Sequence, residues 1–249
     1  MCCFSRPVDR VANTNIFARS SKEGRQFLVY SMTLSAKEDL AMILPIPVPK
    51  ESKDDAVRFI NLEKYPDFFA DMLKGFPPPP TRAAAGAKTL ARPAENKPLP
   101  VVEVGSFEAS FVPSVKDFDR LDDRFRLPAA VWDQLPLYKD YGFAVFKLKK
   151  GAKTIHPMAF EFPRAKPEKI FFPTVHIHDG KVHDTAMFDH LLYCQRSETE
   201  TDPILKWEES TQPARFFMKI DKSQGLLDPD GHCYKRGIRG RQKNEDILV

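Results

Sequence analysis

Apolar and polar side chains alternate loosely over residues 26–34, whereas residues 40–49 form an apolar run with proline at every second position from Pro45 to Pro49. The first pattern predicts a strand. The second predicts a strand finishing at a sheet edge, because proline cannot donate to a ladder. A short apolar segment follows at 57–62. Tyr65, Phe68, Phe69, Met72 and Leu73 then recur at helical spacing and stop before Gly75 and the prolines Pro77 to Pro80, which predicts one amphipathic helix. Residues 77–98 are rich in proline, alanine and lysine with hardly any large apolar side chain. Such a stretch cannot offset the entropy of ordering and is expected to be a mobile loop.

Beyond the loop, residues 101–111 read as strand, and Ser114 stands where it could cap a helix carrying Phe118, Leu121 and Phe125. Residues 128–135 offer another helical turn or two. Residues 143–148, 155–162 and 170–178 read as successive strands, and 215–220 as one more. Strands outnumber helices without the regular strand-helix alternation of a parallel sheet. The expected class is therefore α+β, with mainly antiparallel β-sheet, a few short helices and a proline-rich central loop. The chain reads as one domain that can divide into lobes 1–76 and 99–230 around the loop, with a basic tail at 231–249.

With 249 residues, 42% of them hydrophobic and 29% charged, the chain can bury a substantial core, and its 22 prolines against 11 glycines fit extended segments and stiff loops. A formal charge of +4 is too mild to name a partner. No secretory apolar region and no run long enough to span a bilayer is seen, so no membrane association and a cytoplasmic location are expected. In a reducing compartment Cys2, Cys3, Cys194 and Cys233 are expected as thiols or metal ligands. Glycine-rich phosphate loops are absent. The basic run 235–243 reads as a solvated tail rather than a nucleic-acid site.

The most informative segment is 174–183. Asp179-Gly180 between two β-rich runs is a two-residue hairpin signal. Counting outward sets His178 opposite Lys181, Ile177 opposite Val182 and His176 opposite His183, so His176, His178 and His183 share one face. Three imidazoles suit zinc or copper and leave a coordination position open for water or substrate. The competing reading is a plain solvated hairpin, since Lys181 shares that face and would repel a cation. Residues 187–194 admit a helix that would set His190 and Cys194 on one face as a second ligand pair, but read better as a strand with Phe188, His190, Leu192 and Cys194 on one side, His190 being a core histidine. If Met1 is removed, Cys2 carries a free amine beside two thiols, a source of soft ligands or of a nucleophile with its own base.

The opening Cys2, Cys3 and Phe4 with Pro7 and Val8, then Ile16, Phe17, Ala18 and Arg19, then the proline-punctuated run 40–49, resembles a bacterial domain family of unknown function. The resemblance covers about the first fifth of the chain and implies no activity. The start is also similar to cysteine N-terminal-nucleophile hydrolases, which implies Cys2 as nucleophile and Arg19 as the arginine near it, although Ser20 and Ser21 stand where that family has an acidic residue. Three functions are therefore expected in competition. The first is a transition-metal protein, as a copper oxidoreductase or zinc hydrolase of unidentified small-molecule or peptide substrate, with His176, His178, His183, Cys2 and Cys3 as ligands. The second is an amide hydrolase using Cys2 and Arg19. The third is a non-enzymatic interaction domain.

Overall fold

A computed structural model describes residues 2–78, 107–121, 126–127, 129–133, 135–154, 156–177, 182–196 and 206–249. Its strands are β1 (Cys2–Phe4), β2 (Arg10–Ser20), β3 (Arg25–Ala36), β4 (Leu40–Ile46), β5 (Arg58–Asn61), β6 (Glu108–Val112), β7 (Gly142–Leu148), β8 (Gly151–Thr154), β9 (Met158–Pro163), β10 (Phe171–Phe172), β11 (His176–Ile177), β12 (Thr185–Gln195), β13 (Glu208–Glu209), β14 (Tyr234–Lys243) and β15 (Ile247–Leu248). The α-helices are α1 (Phe68–Lys74) and α2 (Ala129–Asp133). The class is α+β with mainly antiparallel sheet, as the sequence pattern predicts.

Two sheets face each other. One has the order β11-β1-β4-β7-β6, the other β13-β14-β12-β2-β3-β9-β5, with β8 also on β3. The period of two along each strand explains the layering. Leu28, Tyr30, Met32 and Leu34 of β3 meet Leu40, Met42 and Leu44 of β4 and Ala144, Phe146 and Leu148 of β7 in the core between the sheets. The intervening residues serve outer cores. Phe17, Phe27, Val29 and Tyr193 pack under Phe68, Phe69 and Met72 of α1, while Cys3, Ala41, Ile43, Phe143 and Val145 pack against Phe118 and Val131. Because β4 is covered on both faces, all seven of its residues are buried, and its sequence shows a continuous apolar run instead of an alternation.

The proline-punctuated run starts between β1 and β7 and, as expected, finishes with one side open. Pro45 is tolerated because β1 pairs only with Met42 and Ile43, so β4 has β7 alone beside it at Pro45. Several expectations change. Val115–Arg120 is a 3-10 helix rather than an α-helix. Ser114 bonds the Asp117 carboxylate through its hydroxyl at 2.7 Å and caps no backbone N–H. Phe125 lies outside the described residues, as do residues 79–106 of the expected loop and strand. Residues 215–220 form no strand, because a 3-10 turn at Ala214–Phe216 leaves Phe216 60% exposed while Phe217 and Met218 pack inward, a spacing no strand can satisfy. Gly75 is required there, since a Cβ on it would come within 2.6 Å of the Phe217 ring.

Two long strands escape the hydrophobic pattern altogether. β2 sits at the centre of the larger sheet, yet Asn13, Thr14 and Asn15 interrupt it at a bulge between Ala12 and Asn15, with Asn13 at φ 54°. The basic run at the C-terminus is β14, paired with β12 over ten positions from Thr185↔Lys243 to Cys194↔Tyr234.

Candidate functional site

The three-histidine hairpin is not what organises residues 174–183. β11 pairs in parallel with β1, setting His176 beside Cys2 and Ile177 beside Cys3, whereas β12 belongs to the other sheet. A parallel partner from the far end of the chain leaves no trace in local spacing, so counting from Asp179-Gly180 sets a register that the ladders do not follow. The turn itself and His178 lie outside the described residues, as does the role expected of the Cys2 side chain.

Residues 244–246 hold this region instead. The Asn244 side chain accepts the His176 N–H at 2.7 Å and donates to the carbonyls of His176 at 3.0 Å and His183 at 2.9 Å. One Asp246 oxygen accepts the N–H groups of Thr174 at 2.8 Å and Val175 at 3.1 Å, and the other accepts the Tyr138 hydroxyl at 2.5 Å. Thr174 also donates its hydroxyl to the Glu245 carbonyl at 2.7 Å. Side chains thus satisfy main-chain groups that a sheet edge would otherwise leave open. Burial, then the nearby Asp246 carboxylate, pushes the Tyr138 phenol well above its usual range, so it serves as a fixed donor.

The His176 ring turns toward the core. Its Nε2 lies 3.1 Å from His190 Nε2, the two rings stack at 4.8 Å, and Phe188 closes the group at 4.5 Å from His176. One imidazole must donate and the other accept, so the accepting ring is neutral. His190 is 1% exposed, and its Nδ1 lies 3.7 Å from Asp189 Oδ1, beyond hydrogen-bonding distance. Burial lowers the His190 pKa; Asp189 opposes this, and the positive amino terminus adds to the lowering.

This arrangement sets the sign of a pH dependence. With the folded pKa below the unfolded value of about 6.5, the unfolded chain binds more protons in that interval. Stability is therefore full above about pH 6.5 and falls as the pH drops toward the folded pKa. Thermal melts at pH 7.5 and 5.0 are expected to show roughly 2–4 °C more loss on acidification for the natural chain than for His190→Gln, which cannot titrate. Equal losses would contradict the assignment.

The structure sets the remaining expected site residues apart from one another. Cys3 is fully buried among Ala41, Ile43, Val175 and Ile177, and His183 is exposed. Arg19 donates through Nε to the Leu226 carbonyl at 2.8 Å and through Nη2 to Gly225 at 2.7 Å, with its guanidinium 5.1 Å from the Phe27 ring. It ties β2 to a turn. The Cys233 thiol, pushed up to about 12 by burial, is not a nucleophile. Among the described residues no group of three His, Cys, Asp or Glu could hold a metal. Among the described side chains His176 and His190 bring two nitrogens together, where a zinc or copper site needs at least three protein donors. The expectation of a metal-binding oxidoreductase is corrected accordingly for the described residues, outside which His178 and the Cys2 side chain lie.

No family model matches the chain, and no curated protein sequence does. Solved structures do. The crystal structure of baculovirus P35 is similar with a TM-score of 0.52 and 13% identity, over 96% of this chain and 96% of that one. A mutated baculovirus P35 after caspase cleavage is similar with a TM-score of 0.47, 15% identity and coverage of 95% and 99%. The caspase-8/P35 complex gives 0.47, 12% identity, and 95% of each chain. The chain has the fold of baculovirus P35. Sequence spacing could not show this, because at such identity the shared feature is the path of the backbone.

Proposed function

We propose that the chain is a non-enzymatic protein ligand whose partner is a cysteine peptidase of the caspase class. The observation that carries the reading is the likeness to baculovirus P35 over 96% of both chains, P35 being a protein that forms a complex with caspase-8 and is cut by a caspase. Fold alone does not dictate function, so the reading also draws on the site. The cysteines with described side chains are buried, Arg19 is spent on main-chain carbonyls, and His176 and His190 bond each other. These features favour a binding scaffold over an active centre.

The test is a titration of caspase-8 and a panel of related cysteine peptidases with the full chain, reading hydrolysis of a fluorogenic peptide. At least one peptidase is expected to lose activity in proportion to added chain, reaching an endpoint. Undiminished activity across the panel at a tenfold molar excess would overturn the reading.

A further inference from the structure

We infer that the outer edge of β14 is a second docking site, which takes an acidic extended segment of a partner protein as an added strand. Along its inner side β14 pairs with β12 over its whole length, but on the outer side β13 covers only Tyr234 and Lys235. From Arg236 to Lys243 no described strand lies alongside. An edge of eight residues leaves alternate N–H and C=O groups unpaired and available to another chain.

Three observations name the occupant. The first is charge: β14 carries Lys235, Arg236, Arg239, Arg241 and Lys243 and no acidic residue. Lys235 is engaged by Glu208 at 2.8 Å and Lys243 by Glu245 at 2.5 Å, whereas Arg241 donates to the Thr185 hydroxyl at 3.1 Å, and Arg236 and Arg239 have no ion pair among the described residues. The second is access. A Cβ built on Gly240 would meet nothing within 4 Å, and one on Gly237 would meet only Leu191 at 3.8 Å, so among the described residues nothing overhangs the faces of β14 at these two positions and the side chains of an added strand would find room there.

The third is a precedent within the fold. The strand already occupying the start of this edge is β13, which is Glu208 and Glu209, in antiparallel register with Lys235 and Tyr234. Among the described residues its pairing stops at Glu208, and Lys206, two residues before, has a φ of 68°. The occupied end thus displays an acidic strand on a basic one, and among the described residues no strand continues it along the rest of β14. On one face of β14, Arg239 and Arg241 are two positions apart, which calls for carboxylates at i and i+2 of the incoming segment. A nucleic acid is less favoured because such surfaces interleave basic groups with exposed stacking rings. The one aromatic residue of β14, Tyr234, packs against the core.

This site is independent of the caspase reading, and its test does not use a peptidase. A fluorescent nine-residue peptide of alternating threonine and glutamate is titrated against the full chain by anisotropy. Controls are the same peptide with lysine for glutamate and a single-stranded RNA of twenty nucleotides. The glutamate peptide is expected to bind, to bind at least about tenfold more weakly to the double variant Arg239→Glu, Arg241→Glu, and to weaken as salt is raised. In the natural chain, amide exchange at 236–243 should slow when the peptide is added, a readout that does not depend on the variant folding. The inference is overturned if the glutamate peptide fails to bind, if the lysine peptide binds equally, if those amides are unaffected, or if the RNA binds more tightly than the peptide.

Discussion

Asp246→Ala is expected to destabilise the chain by about 3–5 kcal/mol, because it strips partners from the Thr174 and Val175 N–H groups and the Tyr138 hydroxyl together. Thr174 is fully buried and Val175 and Tyr138 nearly so, which leaves water little access to replace the lost carboxylate. Asp246→Asn keeps an acceptor oxygen for the two N–H groups and should cost about half as much. Urea unfolding of the three chains measures this. If Asp246→Ala changed the midpoint no more than a surface substitution does, residues 244–246 would not be what anchors the segment entering β11.

Phe146→Ala is expected to cost about 3–5 kcal/mol for a different reason, namely a cavity at the junction of the two sheets. Phe146 is fully buried on β7, and its ring meets Phe59 of β5 edge-on at 5.7 Å, Phe107 edge-on at 5.4 Å and Phe160 of β9 at 5.9 Å. β7 belongs to one sheet, while β5 and β9 belong to the other. Removing the ring therefore loosens the packing of sheet on sheet as well as one strand. Phe146→Leu fills most of the space and should recover more than half of the loss. Equal costs for the two variants would contradict a tightly packed interface at this point.

What the sequence made legible follows the physics of burial. α1 was readable because Phe68, Phe69 and Met72 fall on one buried stripe ended by Gly75. β12 was readable because Phe188, His190, Leu192 and Cys194 alternate with Met187, Asp189, Leu191 and Tyr193 on the opposite face, and His190 is the core histidine that this pattern implies. β2 was hidden by three polar residues at its bulge, one of which, Asn13, donates its N–H to Asp189 at 2.7 Å. β14 was hidden by arginines and glycines, residues that suggest a tail until a long partner strand is in place.

The site was less legible than the fold. A turn signal at Asp179-Gly180 says that the chain reverses there, but not which strand receives it. β11 takes β1 as its neighbour, and the Asn244 amide bridges His176 to His183. Both are contacts between parts of the chain far apart in sequence, to which no local period is sensitive. His190 was placed correctly in the core, yet its contact with His176 depends on strands of two different sheets meeting.

The most direct test of the protein-ligand account is size-exclusion chromatography with light scattering of the full chain mixed with each peptidase that it inhibits, run in a chelating buffer. The account predicts a single peak containing both proteins, with a mass equal to a whole-number combination of the two. Separate peaks for every pair, with the chain alone retaining an equivalent of zinc or copper, would contradict it.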